Sequence, residues 1–323
     1  MISKNIIDKK ISQGIEIILF KLGNLKLDES ICIIADKDSS GIANLFLLEA
    51  KKHKIKTEFY NIKNTSVHGR EPPIKVATAM KNCNLILGLT TNSMAHTKAR
   101  LNATNCGVRY LSLPNYTTDV LKHPSLRVDY YELGKKAKEL AEKFTSSNKI
   151  VVHTLTGTNI ELDITNRRGN FAPGYVGNGI FLGSPPDIEA NVPPLEEKSE
   201  GRITVDGSIP IKGLGKLNDP ITLNIKKGKI SSIEGDQKVK KFLNKLFQHY
   251  GEKSHVLAEF GVGFNDKAKV CGNMLIDEGC YGTFHCGFGS NKTIGGKNGI
   301  NFHLDFVFYA SEIYLDNKRI PIS

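Results

Sequence analysis

The chain has 323 residues, 40% of them hydrophobic and 24% charged, which is ordinary for a soluble globular protein with room for two buried cores. A net charge of +11 comes from 44 Lys and Arg against 33 Asp and Glu. The lysines are dispersed over helix faces and strand ends without aromatic interleaving or any nucleic-acid motif, so a solvated surface is expected and no nucleic-acid partner. No apolar run approaches membrane-spanning length, and Met1–Lys10 lacks the apolar stretch of a signal peptide. The expectation is a cytoplasmic protein with no membrane partner.

The first half alternates strand and helix. Ile31–Ala35 is an apolar run that reads as a buried strand, and Asp36-Lys37-Asp38-Ser39-Ser40-Gly41 turns into a helix over Ile42–Lys52 with Asp38 or Ser39 as its cap. Strands follow at Thr57–Ile62, Asn84–Leu89 and Val108–Leu113. Helices are expected from Pro72 to Met80, over Ser93–Thr104 and over Tyr130–Phe144. Short apolar strands separated by helices imply a doubly wound parallel sheet. The turn after the first strand is not a GxGxxG, so this α/β domain lacks a dinucleotide fingerprint.

Ser146-Ser147-Asn148 is a polar break, placing one domain over 1–148 and a second over 149–323. Beyond it, β-branched or alternating strands read at Ile150–Thr156, Ile160–Thr165, Ile203–Ile211, Ile221–Lys226 and Lys229–Glu234. One helix interrupts them at Gln237–Tyr250, and strands return at Thr283–Cys286, His303–Phe308 and Glu312–Leu315. The second domain is therefore a β-rich α+β fold. The six cysteines, Cys32, Cys83, Cys106, Cys271, Cys280 and Cys286, form no CxxC pair and read as free thiols.

Candidate chemistry is concentrated between Glu259 and Asp305, where A-E-F-G-V-G-F-N, D-E-G, G-T-F-H-C-G-F-G and H-L-D follow one another. Glu259, His285, His303 and Asp305 are the carboxylates and imidazoles that divalent Zn, Co, Mn or Fe(II) select. On a strand, positions i and i+2 share a face, so His303 and Asp305 can reach one ion, while Cys286 points away from the face of its neighbour His285. Taken singly, each is more often a hydrogen-bonded structural residue. Several polar groups in apolar runs within one domain nevertheless point to a shared counter-charge. His255 and Glu278 are candidates for orienting the ligands. The Pro-rich stretch Asp187–Glu197 ends in the paired acids Glu196 and Glu197, and such a pair is usually solvated.

The order of N-x-P…E-E, A-E-F-G-x-G-x-N, D-E-G, G-T-x-H and H-x-D resembles the aminopeptidase T family of metalloexopeptidases over most of the second domain. G-T-N-I at 157–160 and S-M-A-H-T-K-A-R at 93–100 extend the likeness upstream. The resemblance implies an α/β domain followed by a metal domain in a homodimer acting on peptides. Glu196 and Glu259 would be shared between two ions, with His285, His303 and Asp305 completing the ligand set. Glu196 or Glu197 would then act as general base for a metal-activated water, and His96, Thr97 and Arg100 would be possible substrate-facing residues. The family's tyrosine ligand after G-T-x-H has no counterpart in C-G-F-G-S-N-K. A related branch, the 2,5-dihydroxypyridine 5,6-dioxygenases, holds one Fe(II) by two histidines and an aspartate, here His285, His303 and Asp305. The expected activity is a metal-dependent aminopeptidase with one or two ions of Zn, Co or Mn. The alternatives are an Fe(II) ring-cleaving dioxygenase acting on a small molecule, and a non-catalytic binding protein on the same fold.

Overall fold

The structure, a computed structural model, describes residues 8–64 and 68–321, so most of the Met1–Lys10 stretch lies outside the described residues. Two compact units divide the chain. One comprises residues 1–128 and 174–185, the other 129–173 and 186–323.

The first unit is built on a five-stranded parallel sheet in the order Lys56–Ile62, Ser30–Asp36, Leu85–Leu89, Arg109–Ser112 and Leu182–Gly183. Its strands Ser30–Asp36 and Leu85–Leu89 are mainly apolar and buried from Ile31 onward, as expected where helices cover both faces of a parallel sheet. The helices include Ser40–Lys52, Ile74–Ala79 and Lys98–Asn105, each within a few residues of its expected position. Asp36 closes the first strand by accepting hydrogen bonds from the backbone N–H groups of Ser39 and Thr91.

The unit boundary does not fall at residue 148. The helix Tyr130–Ser146 packs on the strands Asn170–Ala172 and Glu189–Val192, which places it in the second unit. The segment from 174 to 185 returns to the first unit and supplies its fifth strand. A polar break in sequence marks the end of a helix; which sheet buries that helix's apolar stripe decides where it belongs.

The second unit contains two antiparallel seven-stranded sheets. One runs Lys229–Glu234, Ile221–Lys226, Glu200–Val205, Asn159–Asp163, Lys149–His153, Glu312–Leu315 and Lys318–Ile320. The other runs Gly215–Lys216, Ser208–Ile209, His303–Tyr309, Thr283–Gly289, Leu257–Gly263, Glu189–Val192 and Asn170–Ala172. This second sheet is sharply two-faced. Phe260, Phe284, Phe288, Phe306 and Phe308 alternate onto one side and are fully buried there. Phe144 of the Tyr130–Ser146 helix meets Phe260 at 6.2 Å, and Phe247 of the Gln237–Tyr250 helix stacks on Phe306 at 6.5 Å. The α/β unit followed by a β-rich α+β unit is the expected fold class. Among the described residues no helix is long and apolar enough to cross a membrane.

Candidate metal centre

The opposite face of that sheet carries the polar residues, and strand register brings them together. Glu259 pairs with Gly287, which pairs in turn with Asp305; Gly289 pairs with His303; Gly261 pairs with His285 on one side and Asn191 on the other. Because side chains alternate with period two, Glu189, Glu259, His285, His303 and Asp305 all project from one face of four adjacent strands. A register slip of one residue would send every one of them into the phenylalanine core.

Glycine makes this possible at two positions. A Cβ at Gly261 would overlap the His285 imidazole, and one at Gly287 would sit 2.5 Å from His303 Nε2 and 2.8 Å from Asp305 Oδ1. The glycines between the ligands thus form the floor on which both imidazoles lie.

Two groups of potential ligands result, and they share Glu259. Glu189, Glu259 and His285 form one; Glu259, His303 and Asp305 form the other. His285 Nε2 lies 3.1 Å from Glu189 Oε2 and 3.9 Å from Glu259 Oε1. His303 Nε2 lies 3.3 Å from Glu259 Oε2 and 3.2 Å from Asp305 Oδ1. The expected triad of His285, His303 and Asp305 is therefore not one group. Asp305 stands opposite Gly287, so His285 is two residues along its strand from that row, on the order of 7 Å away.

The electrostatics are those of a cation site. Burial raises the Asp187 and Glu278 carboxyls well above the usual range, and the neighbouring carboxylates raise them further, Glu189 foremost for Asp187 and Asp305 foremost for Glu278. Burial alone would push Glu259 up, but its contacts with His285 and His303 hold it well below the ordinary value. Burial alone would lower both imidazoles, yet the facing carboxylates push them up, Glu189 for His285 and Asp305 for His303. Asp187 Oδ1, Glu189 Oε2, Glu278 Oε1 and His285 Nδ1 are buried without an aligned hydrogen-bond partner; the 3.1 Å contact of Glu189 Oε2 with His285 is close but not directed as a hydrogen bond. Five carboxylates and two imidazoles converging with acceptors left over is a donor set that fits a divalent cation. His303 is oriented for it, since its Nδ1 lies 2.9 Å from the Ser290 carbonyl and its Nε2 faces the carboxylates.

The structure corrects several expected roles. Glu196 belongs to neither group; its carboxylate pairs with Arg167 and accepts from Asn291 Nδ2 at 3.0 Å and from the Lys297 N–H at 2.6 Å. Glu197 is exposed and also joins neither group, so neither is the carboxylate shared between the two groups. The carboxylate near His285 is Glu189, seven residues earlier, on a strand that reads in sequence as an extended loop between two Pro-Pro pairs. Glu278 does lie close enough to feel the ligands' charges. His255 packs against Phe247 at 4.9 Å and joins neither group. In the first unit, Thr97 caps its helix through the Arg100 N–H and Arg100 Nε donates to the Ala95 carbonyl, while His96 is exposed. A third acidic group there, Glu16, Glu49 and His53, is paired with Lys52, which reaches both carboxylates.

The family model for NicX, 2,5-dihydroxypyridine 5,6-dioxygenase, matches residues 18–322. The chain belongs to the NicX family. A curated relative, the 2,5-dihydroxypyridine 5,6-dioxygenase of Pseudomonas putida, is 28% identical over 141 residues, and the match spans only 40% of this chain and 40% of that protein. The solved structure of 2,5-dihydroxypyridine dioxygenase from Pseudomonas putida KT2440 superposes with a TM-score of 0.80 at 19% identity, covering 96% of this chain and 94% of that one. AmpT from Thermus thermophilus gives a TM-score of 0.64 at 14% identity, covering 97% of each chain. At these identities the two structures show a common fold. The NicX match overturns the peptidase expectation: the resemblance to aminopeptidase T reflects shared architecture, and the family to which the chain belongs is one of oxygen-using enzymes rather than hydrolases.

Proposed function

We propose that this chain is a ring-cleaving dioxygenase that uses Fe(II) and O₂ to open a small dihydroxylated aromatic ring of the 2,5-dihydroxypyridine type. The observation that carries this reading is the family match over residues 18–322, across the very segments that build the carboxylate–imidazole face. Fe(II), when bound, supplies the one-electron chemistry that lets O₂ react with an electron-rich ring. Glu259, His303 and Asp305 are the residues that would hold it, a donor set of one imidazole and two carboxylates.

The remaining residues shape the surroundings. Ser290 fixes His303 by its Nδ1, leaving Nε2 for the cation. His285 faces the other oxygen of Glu259 at 3.9 Å, so that carboxylate lies between two imidazoles, and Glu189 stands behind His285 at 3.1 Å. The His303 side chain is 30% exposed, against 10% for Glu259, 8% for Asp305 and 1% for His285, so a ring reaches the centre over His303. The buried glycine floor excludes water from the opposite side.

The test is to load the purified protein anaerobically with Fe(II), Zn, Mn or Co and add 2,5-dihydroxypyridine and O₂. The expected result is one O₂ consumed per ring opened with Fe(II) and none with Zn. Fe(II)-loaded protein that leaves both ring and O₂ untouched would overturn the proposal.

A further inference from the structure

The hairpin connecting Thr283–Gly289 to His303–Tyr309 is a 13-residue loop, 290–302; Ser290 ties it to His303, and a second set of residues, so far without a role, ties it to the Glu189–His285 group. Asn191 Nδ2 donates to Glu189 Oε1 at 2.7 Å, fixing the oxygen that does not face His285. Asn191 Oδ1 accepts from Asn170 Nδ2 at 3.3 Å, and the same Asn170 amide donates to the Ile294 carbonyl in the loop at 3.0 Å. One carbonyl further on, Gly295 accepts from Arg167 at 2.8 Å, and Arg167 also pairs with Glu196, which grips Asn291 and Lys297. At its first residue the loop holds His303 through Ser290. The loop therefore touches the Glu189–His285 group at one place and the His303–Asp305 group at another.

We propose that Asn170 and Asn191 are positioning residues through which the 290–302 loop and the cation ligands organise each other, so that a bound cation tightens the loop and a seated loop strengthens cation binding. The chemistry of each link supports this. Asn170 has two amide hydrogens and three acceptors in reach, the Arg168 carbonyl at 3.5 Å being the longest, so it satisfies Asn191 and Ile294 together only while the loop is seated. Asn191 is buried and has one donor committed to Glu189, so any shift of the Asn170 amide is passed to Glu189 and, through His285, to the ligand Glu259. A charged ligand that loses such a partner loses orientation, with a typical effect of about 10–100-fold in metal affinity. Coupling between two sites is reciprocal, so the same factor must appear in loop order when the cation binds.

This inference rests on the reading of the carboxylate–imidazole face as a cation site, and its test keeps the two apart. Mn(II), which is redox-silent here, is titrated into wild type and Asn170→Ala while hydrogen exchange is followed at the amides of Asn291, Lys297 and Asn298. All three donate within this network, to the Asn298 carbonyl, Glu196 and Asn291 Oδ1 respectively. Wild type is expected to bind Mn(II) and to slow exchange at these amides by about the same 10–100-fold factor. Asn170→Ala is expected to bind Mn(II) about 10–100-fold more weakly and to show little further slowing at saturation. A purely structural role would instead raise loop exchange equally with and without Mn(II), which overturns the coupling. So would unchanged affinity in the variant. Should Asn170→Ala not fold, Asn170→Asp keeps the size and removes both donated hydrogens, and the same outcomes decide. If wild type itself takes up no Mn(II), the cation reading fails before any variant is compared, and the coupling falls with it.

Discussion

The two faces of the sheet that carries Glu259 and Asp305 share one backbone and obey opposite rules. On one face, Phe260, Phe284, Phe288, Phe306 and Phe308 remove apolar surface from water and pack against two helices, so each contributes to stability. On the other, beside Glu189, Glu259, His285, His303 and Asp305, burial and like-charged neighbours disfavour the charged forms of Asp187 and Glu278, a cost the apolar face does not carry. Alternation along the strands is what lets a stabilising surface and a destabilising one be specified residue by residue without interfering. The expectation follows that substitutions on the two faces have separable consequences: activity without stability on one, stability before activity on the other.

The sharpest break would come from Glu259→Gln, because Glu259 is the member common to both ligand groups. Metal content after loading and O₂ uptake should both fall to the level of metal-free protein, while the urea midpoint moves far less than for a core substitution. Retention of stoichiometric metal would remove Glu259 from the centre. Phe306→Ala should do the reverse. It deletes a fully buried ring stacked on Phe247 and edge-on to Phe288, and should cost about 3–5 kcal/mol in urea unfolding, with activity per folded molecule largely kept. A loss below about 1 kcal/mol would mean that face is not the core it looks to be.

Gly287→Ala probes the ligand face without replacing a ligand. The added methyl would intrude between His303 Nε2 and Asp305 Oδ1, so Mn(II) affinity should drop by about 10–100-fold with far-UV circular dichroism unchanged. Wild-type affinity in that variant would show that the imidazole has room to move, and that the glycine floor does not position it.

The same alternation explains what the sequence discloses and what it conceals. His303 and Asp305, two apart on a strand with apolar neighbours, are legible because period two is a local property; so are the Gln237–Tyr250 helix and the Ile221–Lys226, Lys229–Glu234 and Glu312–Leu315 strands, which run as expected. Glu189 is not legible. Its strand is four residues long, between Pro185-Pro186 and Pro193-Pro194, and nothing local distinguishes its carboxylate from those of Glu196 and Glu197. Only the pairing of that strand with Leu257–Gly263, nearly seventy residues away, selects it. The order of motifs reveals the architecture shared with aminopeptidase T but not the reaction, since fold and chemistry are specified by different residues.

Glu196 offers the gentlest contrast, an acid in the same unit that is stabilised by its surroundings and not burdened by them. Burial pushes its carboxyl up, but the Lys297 N–H, the Asn291 amide and Arg167 outweigh that and hold it below the ordinary value. A carboxyl whose folded-state pKa is depressed contributes stability that is present above its unfolded value, near 4.5, and lost as pH falls through the lower folded value. Unfolding measured in urea from pH 6 down to pH 3 should therefore show a steeper loss for wild type than for Glu196→Gln, with the two curves converging at the acid end. The difference should be the smallest of those described, because the pair is partly exposed and screened. Parallel curves would mean that Glu196 is solvated like Glu197, and that the ion pair with Arg167 does not anchor the 290–302 loop.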